Sequence, residues 1–456
     1  MRVLLTIISA VFVLVFISAC SVTSPKMNQP IRHAARVAPE QGKLRSDELT
    51  LILTFSGGGT RAAALSYGVL QELRDTPVLI KNSKKRLLDE VDLISSVSGG
   101  SFTSAYYGLF GDRIFQDFEH RFLKKQVQTE LLRLSLFSPK AWIRLAPALF
   151  ERSDLAAEYY NRTIFGKKTF ADMRKDAPRI VINATDLSLG RGFAFTDYHF
   201  SWICSDLNSF PVGRAVAASS AVPVVFSPLV LRNYSGKQGC AYSPNVKEHH
   251  KKAKIVRPGE ERLSQTLSIA KYRDGQKYPY LHLVDGGVSD NLGIRSLLDM
   301  VTFSHNDMWQ LLKKYRMGNT KRMAFLVVNA SSYIDPQIPK RQVATSTVTV
   351  IDATTTIQSN QYNVETLELL RSQFPKWQKQ IKTGRCKERH TADCADIQFS
   401  LIEVDLADLQ KQEREKLLYV PTSLELPAPT VDLLKQAGRN LLRRSEAYQQ
   451  LLKQIH

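Results

Sequence analysis

The chain has 456 residues, 51.4 kDa and a formal charge of +19 at neutral pH. That length can bury a large core as one domain with insertions or as two modest ones, so no disulfide or metal staple is needed for folding. The positive excess favours an anionic partner surface, either lipid headgroups or nucleic acid.

Residues 1–19 carry one charge, Arg2, then an apolar run from Val3 to Ile17 and the small residues Ser18 and Ala19 before Cys20. The run is shorter than the roughly 20 residues that span a bilayer, and the layout is that of a cleaved export leader. Ile17-Ser18-Ala19-Cys20 resembles the bacterial lipobox, which implies cleavage before Cys20 and acylation (palmitate or similar) of that residue. Ser21, rather than an aspartate, points by the same resemblance to the outer membrane. Export leaves four cysteines for an oxidising compartment. Proximity in sequence pairs Cys204 with Cys240 and Cys386 with Cys394, one of three connectivities. A lipid-anchored chain meets membrane lipids, so the charge is assigned to lipid surfaces and not to nucleic acid. Nothing in the sequence names a protein partner.

Residues 20–47, with Pro25, Pro30 and Pro39, read as a tether, and 48–456 as a single folded domain. Thr50 to Phe55 is a buried strand. It runs into Gly57-Gly58-Gly59-Thr60-Arg61 and a helix from Ala62 to Leu73. Glycines followed by a helix start aim several N–H groups at one point, which suits a phosphate or the oxyanion of an ester under attack. The Lys-Ser/Thr of a Walker loop and the Gly-x-Gly-x-x-Gly of a dinucleotide fold are both missing, which disfavours the phosphate. Arg61 either steadies this turn through carbonyls or helps hold the anion.

Val91 to Val97 is a second buried strand, delivering Ser98 onto a turn whose Gly99 and Gly100 lead into a helix from Phe102 to Leu109. Residues 113–170 form a helical insertion with Leu131, Leu132, Leu136, Phe137 and Trp142 interspersed with arginines. Such a stripe is ordinary core, a membrane-interface surface or the cap of an apolar cleft.

Arg179 to Ala184 and Phe193 to Thr196 read as strands, and Gly213 to Ala221 as a helix of small residues stopped before Pro223. Residues 245–278 form a basic loop; His249 and His250 have no carboxylate or thiol set around them, so no metal site is expected. Tyr280 to Asp285 is a strand ending in Asp285-Gly286-Gly287. A strand-end aspartate ordinarily caps the next helix, and it can also meet a group across a cleft. Met323 to Ala330 and Asp396 to Val404 complete the strands, with helices over Val343 to Gln373 and Val431 to Ile455. Strands alternating with helices indicate an α/β fold on a parallel sheet.

Four stretches in order, Gly57-Gly58-Gly59-Thr60-Arg61, Ser96-Val97-Ser98-Gly99-Gly100, Ala218-Ser219-Ser220-Ala221-Val222-Pro223 and Asp285-Gly286-Gly287, resemble the blocks of the patatin-like phospholipase family. The resemblance covers roughly Leu49 to Leu298, and Tyr419 to Leu442 is similar to the tail of bacterial members. It implies a three-layer patatin-like fold with a mostly parallel sheet, a helical insertion and a helical C-terminal extension. It also implies lipid acyl ester hydrolysis without a cofactor or metal, by a Ser-Asp dyad. In that scheme Ser98 is the nucleophile, Asp285 the general base, and Gly57, Gly58 and Gly59 the oxyanion loop, with Arg61, Gly100, Gly286 and Gly287 in support. The chain departs from the family pattern at Ser96, where the elbow ordinarily has a glycine, and at Ala62, where a glycine commonly follows the basic residue. A Ser-Asp-His triad would need His305 or His390; His282 lies on the strand of Asp285 but on its other face. An acyltransferase using the same acyl-enzyme, or a non-catalytic lipid-binding envelope lipoprotein, would share the framework.

Overall fold

A computed structural model describes residues 27–31, 46, 48–80, 82–137, 151–223, 225–236, 268–333, 347–389 and 396–455. The calls on the leader 1–19, Cys20, His390 and the basic run Lys247 to Arg257 lie outside these residues. In chain order the elements are β1 (Leu49–Phe55), α1 (Gly59–Asp75), a hairpin of β2 (Pro77–Ile80) and β3 (Ser83–Arg86), β4 (Val91–Val97) and α2 (Gly99–Phe110). Then come α3 (Ile114–Phe118), α4 (Val127–Phe137), α5 (Arg152–Thr163), β5 (Arg179–Asp186), β6 (Arg191–Phe195), α6 (Asp197–Trp202), α7 (Val212–Ser219), β7 (Leu229–Arg232) and β8 (Tyr280–Asp285). The last part holds α8 (Gly287–Asp290), α9 (Arg295–Phe303), α10 (Met308–Lys314), β9 (Arg322–Asn329), α11 (Thr347–Arg389), β10 (Gln398–Asp405), α12 (Lys411–Leu417), α13 (Ala428–Arg444) and α14 (Glu446–Ile455).

The sheet runs β10-β9-β1-β4-β5-β8-β7, with β6 also paired to β5. β10, β9, β1, β4 and β5 are mutually parallel, whereas β6 and β8 pair with β5, and β7 with β8, in antiparallel sense. The central strands are apolar on both faces because helices cover both. One face of β1, β4 and β9 packs on α1, α2 and the C-terminal helices through Leu51, Leu53, Ile94 and Leu326; the other, through Phe325 and Val327, packs on α9, α10 and α11. This is the expected three-layer α/β architecture, with the helical C-terminal region closing both outer layers.

α1 is buried nearly all round because α13 lies across its outer side. The crossing is tight. A Cβ on Gly68 would come within 2.1 Å of the Lys435 carbonyl oxygen, and one on Gly438 within 2.4 Å of the Leu65 carbonyl oxygen. α11 continues through Pro375, past the expected stop at Gln373. Phe374 and Trp377 stack among Phe325 and Phe399 there, and their burial outweighs the helix hydrogen bond that proline cannot donate.

Part of the predicted tether is held to the body. Asn28 is buried, donates to Ser205 Oγ and the Arg232 carbonyl at 2.8 Å each, and accepts the Arg232 N–H at 2.7 Å. Three polar groups satisfied by one amide explain why a segment without hydrophobic periodicity is fixed. The basic loop is likewise shorter than predicted. Residues 268–272 are helical, with Ile269 and Tyr272 buried and the Tyr272 hydroxyl on Asp186 at 2.9 Å.

The apolar residues of the insertion are not all core. Leu131 is core, whereas Leu132, Leu136 and Phe137 are exposed; Trp142 lies outside the described residues. Its later helix α5 is bolted to α7 by a buried ion pair, Arg214 to Asp154 at 2.6 Å. Removing one partner of such a pair strands a charge away from water. Arg214→Met is expected to cost about 3–5 kcal/mol in a urea melt, and adding Asp154→Leu to it is expected to recover most of that loss.

Candidate functional site

Ser98 stands at the carboxyl end of β4 with φ +49° and ψ −118°, a conformation that L-residues rarely adopt. This turn is held from three sides. The Ser98 N–H donates to Ser219 Oγ at 2.8 Å, and Ser219 Oγ donates to the Asn183 carbonyl at 2.6 Å. Ser101 Oγ lies 3.1 Å from Ser219 Oγ; since the one Ser219 proton is spoken for, Ser101 is the donor there. Beneath the turn, Gly99 rests on the glycine loop so closely that a Cβ there would sit 1.9 Å from the Gly59 carbonyl oxygen. Gly100 packs on Phe55 and donates its N–H to the Ser56 carbonyl at 3.3 Å.

Ser96, the departure from the glycine of the elbow pattern, is fully buried and keeps its hydroxyl satisfied on Ser104 Oγ at 2.6 Å and the Val181 carbonyl at 3.2 Å. The side chain that a glycine would lack is therefore accommodated by the adjoining helix and strand.

The glycine loop meets the elbow, yet its three N–H groups are not equivalent. Gly57 gives its N–H to the Asn291 carbonyl at 3.1 Å, and Thr60 gives its own to the Ser423 carbonyl at 2.8 Å. Among the described residues no acceptor meets the N–H of Gly58 or Gly59. The predicted three-glycine donor set thus reduces to two, with Gly57 anchoring the loop. Arg61 is only 1% exposed and resolves to the first of its two readings. It donates to the Ala330 carbonyl at 2.7 Å, to the Val420 carbonyl, and to Thr422 Oγ1 at 3.2 Å. It fixes the loop.

Asp285 ends β8 within reach of this turn. Its carboxylate accepts the Gly287 N–H at 2.7 Å and lies near the Ser98 hydroxyl. The helix-capping contact is therefore present, beside the serine turn. The backbone is fixed too: Asp285 N–H goes to the Ala221 carbonyl at 3.0 Å, Gly286 N–H to the Ser219 carbonyl at 3.1 Å, and the Asp285 carbonyl accepts Thr185 Oγ1 at 2.9 Å. Burial pushes the Asp285 carboxyl up to about 6, opposed by the Gly287 hydrogen bond and by the nearby Ser98 hydroxyl. Gly286 packs on the Asn183 carbonyl.

Sequence reasoning assigned no role to three residues here. Ser219 links elbow and acid, and Asn291 fills the corner between Gly57 and Gly287, its Oδ1 lying 2.6 and 3.1 Å from where their Cβ atoms would be. Asp290 is buried with its carboxyl also pushed up to about 6 by burial, and accepts the N–H groups of Ile294 and Arg295 at 3.2 and 2.7 Å. A polar residue inside an apolar or small-residue run was the available signal for each.

Among the described residues no histidine bonds Asp285. His282 faces out, and His199, buried and held at about 3 by that burial, pairs with Thr196 and packs against Trp202. Within the same set there is no cluster of potential metal ligands and no helix long and apolar enough to cross a membrane. Cys204 and Cys386 are disulfide-bonded; Cys240 and Cys394 lie outside the described residues.

A carboxyl raised in the folded state favours folding below its unfolded value near 4 and loses that contribution as the pH climbs through 6. At pH 8 the ionised Asp285 is a cost to the fold. Asp285→Asn, which imitates the protonated acid, is expected to be more stable than the wild type at pH 8 by about 2 kcal/mol, the difference shrinking toward pH 4, as read by urea melts at the two pH values. Ser219→Ala is expected to destabilise the protein by about 1–3 kcal/mol, since it leaves the Ser98 N–H buried without an acceptor.

The patatin-like phospholipase family profile matches residues 53–298. No protein of curated function matches the chain. Among solved structures, human GIVD cytosolic phospholipase A2 in complex with methyl gamma-linolenyl fluorophosphonate aligns over 90% of this chain and 60% of its own, with 12% identity and a TM-score of 0.42. Its complex that also contains terbium chloride gives 13% identity, the same coverage and a TM-score of 0.39. The SpcU complex with ExoU from Pseudomonas aeruginosa covers 60% of this chain and 59% of its own at 14% identity and a TM-score of 0.21. The chain spans less than two thirds of each, and at these scores the superpositions add nothing to the family match. That match takes in more than half of the chain and holds the glycine loop, the Ser98 turn and Asp285 together, so the chain belongs to the patatin-like phospholipase family.

Proposed function

We propose that this protein is a lipid acyl hydrolase that cleaves carboxylic esters of phospholipids or related lipids through a Ser98–Asp285 dyad. One observation carries the reading: the buried Asp285 carboxyl stands close enough to the Ser98 hydroxyl for that hydroxyl to favour its ionised form, beside two backbone N–H groups with no acceptor among the described residues.

In this mechanism Asp285 takes the Ser98 proton as Oγ attacks the acyl carbonyl, and the Gly58 and Gly59 N–H groups receive the developing oxyanion. The α1 N-terminus behind them adds the positive end of its dipole. Collapse of the tetrahedral intermediate breaks the ester C–O bond, and Asp285 returns its proton to the departing lysolipid oxygen. A water then attacks the acyl-enzyme, again losing its proton to Asp285. Release of the fatty acid restores Ser98, which regains its proton from Asp285. The burial that raises the Asp285 carboxyl makes it a stronger base than an exposed aspartate while leaving it ionised at neutral pH.

The same proposal places the chain at a membrane. The leader 1–19 is removed, Cys20 is acylated, and the anchored protein lies on an exported, outer-membrane face, where its positive charge meets anionic headgroups. The sequence layout of Met1 to Cys20 and the +19 charge support this.

Fatty-acid release from phospholipid vesicles tests the chemistry. Ser98→Ala and Asp285→Asn are each expected to lower kcat/KM by roughly 10³-fold or more; activity unchanged in Ser98→Ala would overturn the mechanism. For the wild type, kcat/KM is expected to rise tenfold per pH unit below about 6 and to level off above it, because only the ionised Asp285 can accept the proton. For the anchor, labelled palmitate is expected to enter the wild type and not Cys20→Ala in cells; equal labelling would remove the lipidation.

A further inference from the structure

At the opposite end of the strands that carry Ser98 lies a cavity of about 540 Å³ that the proposed reaction does not use. It sits between the amino-terminal halves of β1, β4, β5 and β9 and the helices α9, α10 and α11. Its size is within the roughly 300–1,000 Å³ of small-molecule sites, and far above the packing defects of a protein interior, which seldom exceed a water molecule.

The lining has a direction. Its inner end is apolar and buried, with Leu312, Met323, Phe325 and Trp377. Five of the chain's seven methionines, Met173, Met300, Met308, Met317 and Met323, face it. Unbranched thioether side chains adapt to a flexible apolar guest better than branched ones.

The outer end is ionic and partly exposed. Arg174 is held by Asp176 at 2.6 Å, and Asp92 is held by the Leu51 N–H at 2.9 Å. Asp197 opens α6 at the same end. Lys175 and Arg179 have no carboxylate within ion-pair distance among the described residues, and the Arg179 guanidinium lies over the Tyr315 ring, 5.5 Å from its centroid. An extended apolar tail ending in one carboxylate complements a chamber of this form: methionine-lined depth, and at the mouth two cations with no carboxylate partner among the described residues.

No residue of the glycine loop, the Ser98 turn or the Asp285 turn lines the cavity. Leu93, which does, lies five residues before Ser98 on β4, about 16 Å along the strand. A tail bound here is out of reach of the nucleophile. We propose that this cavity is a second lipid site, which binds one long-chain fatty acid with its carboxylate at Lys175 and Arg179 and its tail among the methionines. Such a molecule is what the proposed hydrolysis releases, but the site stands on its own geometry whether or not Ser98 is the nucleophile.

Trp377 in the lining supplies a local reporter, since bromine quenches tryptophan only at close range. The full chain carrying Ser98→Ala is titrated with 9,10-dibromostearic acid below its micellar concentration, and tryptophan quenching is followed. Saturable quenching is expected, with most of its amplitude lost on adding Trp377→Phe. Lys175→Gln with Arg179→Gln is expected to weaken apparent affinity roughly tenfold or more, and the methyl ester of the same acid to bind the parent protein weaker by a similar factor. Leu311→Phe, which fills the chamber, is expected to reduce binding as well; should it fail to fold by circular dichroism, the rim double variant and the ester decide. Non-saturable quenching, quenching undiminished by Trp377→Phe, or equal affinity for acid and ester in a rim variant that behaves as the parent would each overturn the assignment. The readout is binding and not turnover, so a failure here and a failure of the hydrolase reading are separable.

Discussion

Ser219 sits where three parts of the site meet. Its hydroxyl accepts the Ser98 N–H at 2.8 Å and donates to the Asn183 carbonyl at 2.6 Å, while its carbonyl accepts the Gly286 N–H at 3.1 Å. One residue at the end of α7 thus sets the serine turn, the strand β5 between and the acid turn relative to one another. The left-handed conformation of Ser98 costs about 1–3 kcal/mol, and it is kept only because the surroundings allow the chain no other course. Ser219 supplies an acceptor that the strained N–H would otherwise lack, and Gly99 lies against Gly59 with no room for a side chain. The Ser98 turn is placed by contacts to its backbone, from the Ser219 hydroxyl on one side and from the Gly59 backbone on the other.

The glycine loop is held in a different way, from residues far along the chain. Arg61 reaches Ala330, Val420 and Thr422, Ser423 takes the Thr60 N–H, and Asn291 takes that of Gly57. The loop is therefore fastened both by the β9 end and by the C-terminal segment before α13, outside the residues that match the family. The close crossing of α1 and α13 at Gly68 and Gly438 secures the helix whose first turn presents the Gly59 N–H. The C-terminal third therefore holds the loop in place, and in the proposed reaction this fastening would keep the oxyanion donors fixed as charge develops.

Function and stability pull apart at the two buried acids. Asp285 and Asp290 both have carboxyls raised by burial to about 6, and each ionised form weakens the fold at neutral pH. Asp290 is compensated by capping α9. Asp285 has one backbone donor, the Gly287 N–H, and burial is the main cause of its raised carboxyl. The large parallel core and the second core around Trp377 and Phe325 carry the stability that lets such a group stay buried.

The local stretches were legible where side-chain pattern and backbone need coincide. The apolar run Leu49 to Phe55, the glycines after it and the small residues around Ser98 announced strand, loop and elbow, because burial on both faces and tight turns each select a narrow set of residues. The acid at the end of β8 was legible as a candidate, and only the family resemblance joined it to Ser98. Tertiary structure alone decided that β8 runs antiparallel to β5, that Gly57 is an anchor rather than a donor, that Arg61 is structural, and that Ser96 keeps its hydroxyl bonded. It also decided that 27–31 and 268–272 pack on the body, although neither announces itself by periodicity. These outcomes share a physical cause: each depends on which polar groups come within hydrogen-bond distance once the sheet has formed. Partners such as Arg61 and Val420, far apart in the chain, leave no periodic trace, whereas burial and turn formation write theirs into consecutive residues.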